Sequence, residues 1–424
     1  MPAHPPRNQP TARRHRTALA VTATLAAAAV ALPPALASAS PGGTAGTGRP
    51  GPQGPARAVD ADFQRDADAV RATGAVGVQA RVTGGRTTPT SGPRTVTSGT
   101  ADIRTGRAVP ADGYFRIASN TKTFVATVVL QLSAERKLSL DDTVERWLPG
   151  LVRGNGNDGR RITLRHLLQH TSGIHDDYPG FDSAARYYEK RFDPYTPRQL
   201  VERAMRHRPD FRPGKGWAYS NVGYMLLGMV IEKATGRTWH AEVRARLLKP
   251  LGLRHTYHPG GSPSVRTPHA RGYQRFATAP KLVDVTLLKD ANAAGGLIGT
   301  TADLNRFFRA LLGGKVLKPA QLKEMKRTVP LNKEFQVPYP GARYGLGLMK
   351  NKLPCGGWYW SHGGDEIGYM SRNAVTDDGR VAVTASMSTE WSTSAADTLP
   401  QHRAAIRMVT RELCARRDLP YQQH

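Results

Sequence analysis

The chain has 424 residues, with 60 Lys and Arg against 33 Asp and Glu for a net charge of +27, and 39% of it is apolar. An apolar fraction this high excludes a disordered polyelectrolyte, and the length supplies a sizeable core in one large domain or two ordinary ones. The basic residues are scattered without interleaved aromatics, and no helix-turn-helix, RNA-binding or zinc-finger signature accompanies them, so a nucleic-acid partner is not expected.

At the N-terminus an uncharged apolar run from Thr17 to Ala39 follows Arg13, Arg14 and Arg16, is interrupted by Pro33 and Pro34, and ends in Ala37-Ser38-Ala39. Residues 1–39 therefore read as an export signal, with Arg13-Arg14 leaving the Sec and Tat routes open. No later run is long enough for a membrane span. The mature protein is expected outside the cell, where its positive charge would attract anionic wall polymers. Residues 40–59 are Gly, Pro, Ala and Arg with little to bury, the composition of a flexible linker.

Order is expected from Phe63, Ala67 and Val70, spaced as on one face of a helix. Strands follow at 76–82, 94–98 and 114–117, then a buried helix at 121–132 carrying Phe124, Val125, Val128, Val129 and Leu132. Helices dominate 141–288, among them 162–170 and 222–233. After a helix at 302–312, strands return at 343–349, 358–362, 369–376 and 381–387, the last two flanking the hairpin signal Asp377-Asp378-Gly379. A final helix is read at 401–416. The fold class is α/β of the α+β kind: one antiparallel sheet from 60–140 and 289–424, flanked by terminal helices, with a mostly helical insertion at 141–288.

Cys355 and Cys414 permit one intramolecular pairing, and export favours a disulfide over two buried thiols.

Three short elements carry chemistry. Ser119-Asn120-Thr121-Lys122 opens the buried helix, and a three-residue spacing puts hydroxyl and amine on one face at the positive end of the helix dipole. Tyr219-Ser220-Asn221 precedes another helix, where a loop phenol can enter a cleft. His362-Gly363-Gly364 lies beside a strand, and its glycines permit close backbone approach. His166 and His170 have metal-ligand spacing but lack a third ligand, so packing is expected of them and no metal or other cofactor is implied.

In this order and spacing the three elements resemble the signatures of the serine β-lactamase and penicillin-binding superfamily. The likeness is closer to exported actinobacterial D-alanyl-D-alanine carboxypeptidases and class C β-lactamase-like hydrolases, and extends to Ile162-Thr163-Leu164-Arg165-His166 and Tyr344-Gly345-Leu346-Gly347. The resemblance implies a monomeric hydrolase that forms an acyl-enzyme on Ser119, with Lys122 or Tyr219 as base and Asn221 donating to the substrate amide. His362 would hold the Tyr219 phenol and a bound carboxylate in register. Gly363, Gly364 and Asp365 would line the substrate, with the N–H groups of Ser119 and Asp365 forming an oxyanion hole. The implied partners are D-alanyl peptides of the wall and β-lactams. A β-lactamase-like esterase, a D-aminopeptidase or amidase, and a penicillin-binding sensor without turnover are the alternatives.

One departure bears on substrate. Where the carboxypeptidases hold a terminal carboxylate with hydroxyls and an arginine, this chain has Gly363, Asp365 and Met349. Unless Lys350 or Arg372 supplies a cation, the preference moves to esters, amides or peptides lacking a free terminal carboxylate.

Overall fold

Strand-forming segments near both ends of the chain meet in one nine-stranded sheet. The strands are β1 Gly77–Thr83, β2 Arg94–Gly99, β3 Val329–Pro330, β4 Arg343–Tyr344, β5 Met349–Lys352, β6 Trp358–Ser361, β7 Gly364–Glu366, β8 Tyr369–Thr376 and β9 Ala382–Met387. They lie in the order β2-β1-β9-β8-β6-β5-β4-β3, with β7 on β8, and every pairing is antiparallel. This computed structural model describes residues 55–85, 92–279, 281–391 and 395–416. The expected signal at 1–39 lies outside the described residues, as does the linker as far as residue 54. From Pro55 the chain is already helical, so the stretch read as linker ends earlier than its composition suggests; proline is well suited to a first helical turn.

Helices cover both faces of the sheet, which is why β8 and β9 are buried along their whole length and show no in-out alternation. On one face α1, Pro55–Ala72, packs with the C-terminal helix, and Phe63, Ala67 and Val70 meet Val82, Val383, Met408 and Leu413. On the other face, α2 is Asn120–Ala134, α3 is Asn221–Thr235 and α4 is Thr301–Leu312. Phe124 of α2 stacks on Phe307 of α4 with centroids 3.7 Å apart. The C-terminal helix α5, Ala395–Ala415, begins a turn or more before the predicted 401 and runs through Pro400. Among the described residues no helix is long and apolar enough to cross a membrane.

The strand read at 343–349 is two strands of a hairpin, with Tyr344 paired to Met349. The reversal needs Gly347, whose φ of 72° favours glycine and whose position would bring a β-carbon to 2.5 Å from Ala126 Cβ. Its N–H donates to Leu168 O, and its carbonyl accepts from Thr123 Oγ1 at 2.8 Å, which fixes the hairpin tip on α2 one residue from Lys122.

Cys355 and Cys414 are bonded, with Cα atoms 5.9 Å apart, joining the turn after β5 to the last turn of α5. Closing a loop of 59 residues restricts the unfolded chain, worth about 4 kcal/mol on the chain-entropy account. Cys355→Ser should therefore lower the denaturant midpoint substantially, and a reductant should reproduce the loss in the parent protein; an unchanged midpoint would show that native strain cancels the gain.

Candidate active site

Ser119 is presented by a tight backbone feature at the start of α2. Ala118 has φ of 48°, a conformation costing a β-carbon-bearing residue on the order of 1 kcal/mol. Two contacts hold it there. Ile117 N–H bonds Leu297 O, and Gly364 of β7 packs so closely on Ile117 that a β-carbon would lie 2.2 Å from its carbonyl oxygen. Ser119 then occupies the N-cap position without a side-chain cap, so its hydroxyl is uncommitted to the helix and its N–H stands outside the helical ladder.

Lys122 is fully buried. Its Nζ lies 2.8 Å from Asn221 Oδ1, 2.8 Å from Ala294 O and 3.0 Å from Ser119 Oγ. Burial lowers its pKa to about 7 against the opposing pull of Asp176, Glu366 and Asp290. A neutral amine has two hydrogens and one lone pair. Asn221 and Ala294 take the hydrogens, and the lone pair is left facing the serine hydroxyl.

Tyr219 lies beside this pair, with Lys122 Nζ 4.8 Å from its ring centroid. Its ring lies between His170, at 4.4 Å, and Phe335, stacked at 5.5 Å. Burial pushes its phenol well above the ordinary range. Of the two groups the sequence left open as base, the amine is the one whose neutral form is within reach near pH 7.

No hydrogen bond joins His362 to Tyr219 among the described residues, and their ring centroids are 6.5 Å apart. Its partner is Tyr344, in a chain whose polarity follows from the donors. Ser220 N–H donates to His170 Nδ1 at 3.1 Å, so His170 carries its proton on Nε2 and gives it to Tyr344 Oη at 3.2 Å. Tyr344 O–H then donates to His362 Nε2 at 2.9 Å, and His362 Nδ1–H to Gly363 O at 2.7 Å. Burial, with the nearby Lys122, lowers the His362 pKa to about 3. It stays neutral at physiological pH and supplies no cation to a carboxylate. His170 is thus a link between the Tyr219 loop and β7, and His166 accepts from Thr163 N–H in the capping box of the helix Leu164–Leu168.

Asn221 is more committed than expected. Its Oδ1 faces Lys122 and one N–H donates to Asp176 Oδ2 at 2.9 Å, leaving the other for a ligand. Asp176 also accepts from Val222 N–H at 3.0 Å. Its place in a loop of the sequence carries no motif that announces this task.

A cavity of about 290 Å³ opens over Ser119. Tyr219, Asn221, His362, Gly363 and Asp365 line it; Gly364 does not, its close approach being to Ile117. Sequence reasoning missed Asp290 and Glu366, which line it as well. Tyr178 O–H and Asn292 N–H both donate to Asp290, while burial and then the adjacent Asp290 push the Glu366 carboxyl well above its usual range. Asp365 is about half exposed and held by Arg372, with Nη1 to Oδ1 at 2.7 Å and Nη2 to Oδ2 at 3.2 Å. Lys350 sits over the rings of Trp358 and Trp360. Among the described residues lining the cavity, none is Lys or Arg.

A helix-covered antiparallel sheet with Ser-x-x-Lys opening a buried helix is the arrangement of the β-lactamase and penicillin-binding superfamily. The chain belongs to the β-lactamase family, whose model matches residues 58–407. It is 29% identical over 289 residues to Penicillin-binding protein 4* of Bacillus subtilis (strain 168), covering 64% of this chain and 60% of that protein, so it spans less than two thirds of this relative. Among solved structures it is similar to a D-stereospecific amidohydrolase from Streptomyces sp., at 42% identity and a TM-score of 0.71, covering 80% of this chain and 97% of that one. A D-amino acid amidase from Ochrobactrum anthropi SV3 matches at 26% identity with a TM-score of 0.71, over 84% of this chain and 99% of that one.

The negative charge of Asp176 favours the ammonium form of Lys122, so Asp176→Asn should move the Lys122 titration below about 7. The midpoint of the pH dependence of labelling by a fluorescent penicillin should fall accordingly. A midpoint that stays or rises would show that Lys122 does not feel this charge.

Proposed function

We propose that this chain is a serine hydrolase acting through an acyl-enzyme on D-aminoacyl amides or esters, in preference to peptides ending in a free D-alanine carboxylate. One observation carries the preference: Asp365 faces the cavity with Arg372 already clamped to it, and among the described residues lining the space none is Lys or Arg. A free carboxylate meets like charge there, whereas an α-ammonium group or an uncharged amide does not. Similarity to the amidohydrolase and the amidase supports the same reading. The apolar leader and basic composition support action outside the cytoplasm.

In this reading neutral Lys122 accepts the Ser119 proton as the oxygen attacks the substrate carbonyl. The oxyanion settles between the N–H groups of Ser119 and Asp365. The Tyr219 phenol, kept protonated by burial, passes a proton to the departing amine and recovers one from Lys122. Water then repeats the sequence in reverse on the ester.

Ser119→Ala should abolish labelling by a fluorescent penicillin with the fold intact by circular dichroism. Lys122→Ala and Tyr219→Phe should each slow acylation by at least about 100-fold, the scale of a lost proton-transfer group. A rate near the parent's would remove that residue from the mechanism.

Specificity has its own test. Asp365→Thr removes the repulsion and releases the Arg372 guanidinium, so the kcat/KM ratio of free-acid D-alanyl-D-alanine to D-alanine amide should rise about 5- to 150-fold. A parent enzyme that prefers the free acid, with no response to Asp365→Thr, would restore the carboxypeptidase reading.

A further inference from the structure

The clamp on Asp365 continues to the C-terminal helix. Arg372 is 3% exposed, and its Nη1 also donates to Ser371 O at 2.7 Å while its Nη2 lies 2.5 Å from His402 Nδ1. A guanidinium has hydrogens to give and no lone pair to offer, so His402 Nδ1 accepts. The ring is consequently neutral with its proton on Nε2. Burial, then Arg372 and Arg403, push the ring's pKa down, in agreement with that tautomer.

His402 Nε2–H has no hydrogen-bond partner among the described residues and is itself closed to solvent, while the ring borders the cavity over Ser119, so a turn of the ring is what brings Nε2–H to a ligand there. Trp217 is in the same position: it is 7% exposed, lines the same cavity, can only donate, and its Nε1–H is unpartnered. Aromatic side chains join the two, with Tyr339 edge-on to His402 at 4.9 Å and Phe335 edge-on to Trp217 at 5.0 Å. This wall is therefore largely aromatic, with two N–H donors that no described residue satisfies. A shielded donor without an acceptor is unfavourable, and a neutral carbonyl oxygen is the ligand group that relieves it.

The other wall, Tyr178, Asp290, Asn292 and Glu366, is acidic and suits the ammonium-bearing half of a D-aminoacyl amide, which leaves the aromatic wall to the departing half. We infer that His402 is a substrate-binding residue whose Nε2–H donates to a carbonyl oxygen in the departing half. The favoured substrates are then D-aminoacyl amides in which the leaving amine belongs to a further amino-acid residue. This rests on the D-aminoacyl reading of the cavity and deepens it.

Two ligands that differ in the carbonyl test it: D-phenylalanyl-glycinamide and D-phenylalanyl-propylamide, titrated calorimetrically into the full chain carrying Ser119→Ala so that neither is consumed. The glycinamide should bind about 10-fold more tightly, the scale of a hydrogen bond to a built donor. Adding His402→Phe should erase that preference by weakening the glycinamide alone, and His402→Gln, which keeps an N–H donor, should restore part of it. Equal binding of the two ligands, or a preference that survives His402→Phe, overturns this inference and leaves the D-aminoacyl reading standing. Binding of neither ligand overturns both. Nitrogen-15 spectra of histidine-labelled protein provide a check that needs no variant at position 402. His402 should show a bare Nδ1 and a protonated Nε2, and the Nε2–H resonance should shift with the glycinamide and not with the propylamide; the opposite tautomer, or equal shifts, overturns the proposal.

Discussion

Taking an amine out of water disfavours its charged form, and the arrangement around Ser119 depends on how this chain does so at Lys122. The amine is covered by α2, the start of α3 and the segment at Ala294, each of which contributes one of its contacts. Three acidic side chains oppose the desolvation without cancelling it, and the balance sits near pH 7. Between about pH 7 and pH 10.5 the unfolded chain holds a proton on this lysine that the native state does not. Native stability therefore rises with pH through that window on this account, the reverse of what an ion-paired surface lysine produces. The same desolvation that weakens the fold at lower pH is what frees a lone pair beside the serine.

Around this centre the polar groups are fixed by donor arithmetic more than by charge. From Ser220 N–H through His170, Tyr344 and His362 to Gly363 O, each link has one possible direction, because the first group can only give and the last can only take. The two ends belong to different parts of the fold: the loop that carries Tyr219, and the turn into β7 that carries Asp365. Their spacing is thus set by neutral hydrogen bonds that do not titrate in the physiological range. Arg372 applies the same logic on the far side, where its lack of any lone pair fixes both the Asp365 carboxylate and the His402 tautomer.

What could be read from the sequence was what local spacing encodes. Ser119 and Lys122 are one helical turn apart, and periodicity in 121–132 announced that the turn would be buried. Strand limits at 369–376 and 381–387 were legible because a tight-turn signal separates them. Contacts between distant segments were not legible. Asp176 reaches Asn221 across 45 residues and Tyr344 reaches His362 across 18, and although Tyr344 opens the Tyr344-Gly345-Leu346-Gly347 stretch, nothing local says which group either one meets. Asp290 and Glu366 meet only through the tertiary fold. The hairpin in 343–349 was hidden because its apolar residues continue through the turn, and only the left-handed backbone at Gly347 breaks the strand.

The aromatic wall of the cavity comes largely from one connection. Phe335, Pro338 and Tyr339 lie between β3 and β4, strands that pair with each other at Arg343 and Pro330 and at Tyr344 and Val329. The ends of that connection are pinned by backbone hydrogen bonds, and the Gly347 tip next to it is pinned separately to α2. Insertions, deletions or substitutions between residues 331 and 342 can therefore reshape what the cavity accepts while the serine, the lysine and the polar chain keep their spacing. Substrate range and chemical competence reside on segments that can diverge independently, so sequences sharing the Ser119 and Lys122 pattern but differing in this connection need not share a substrate.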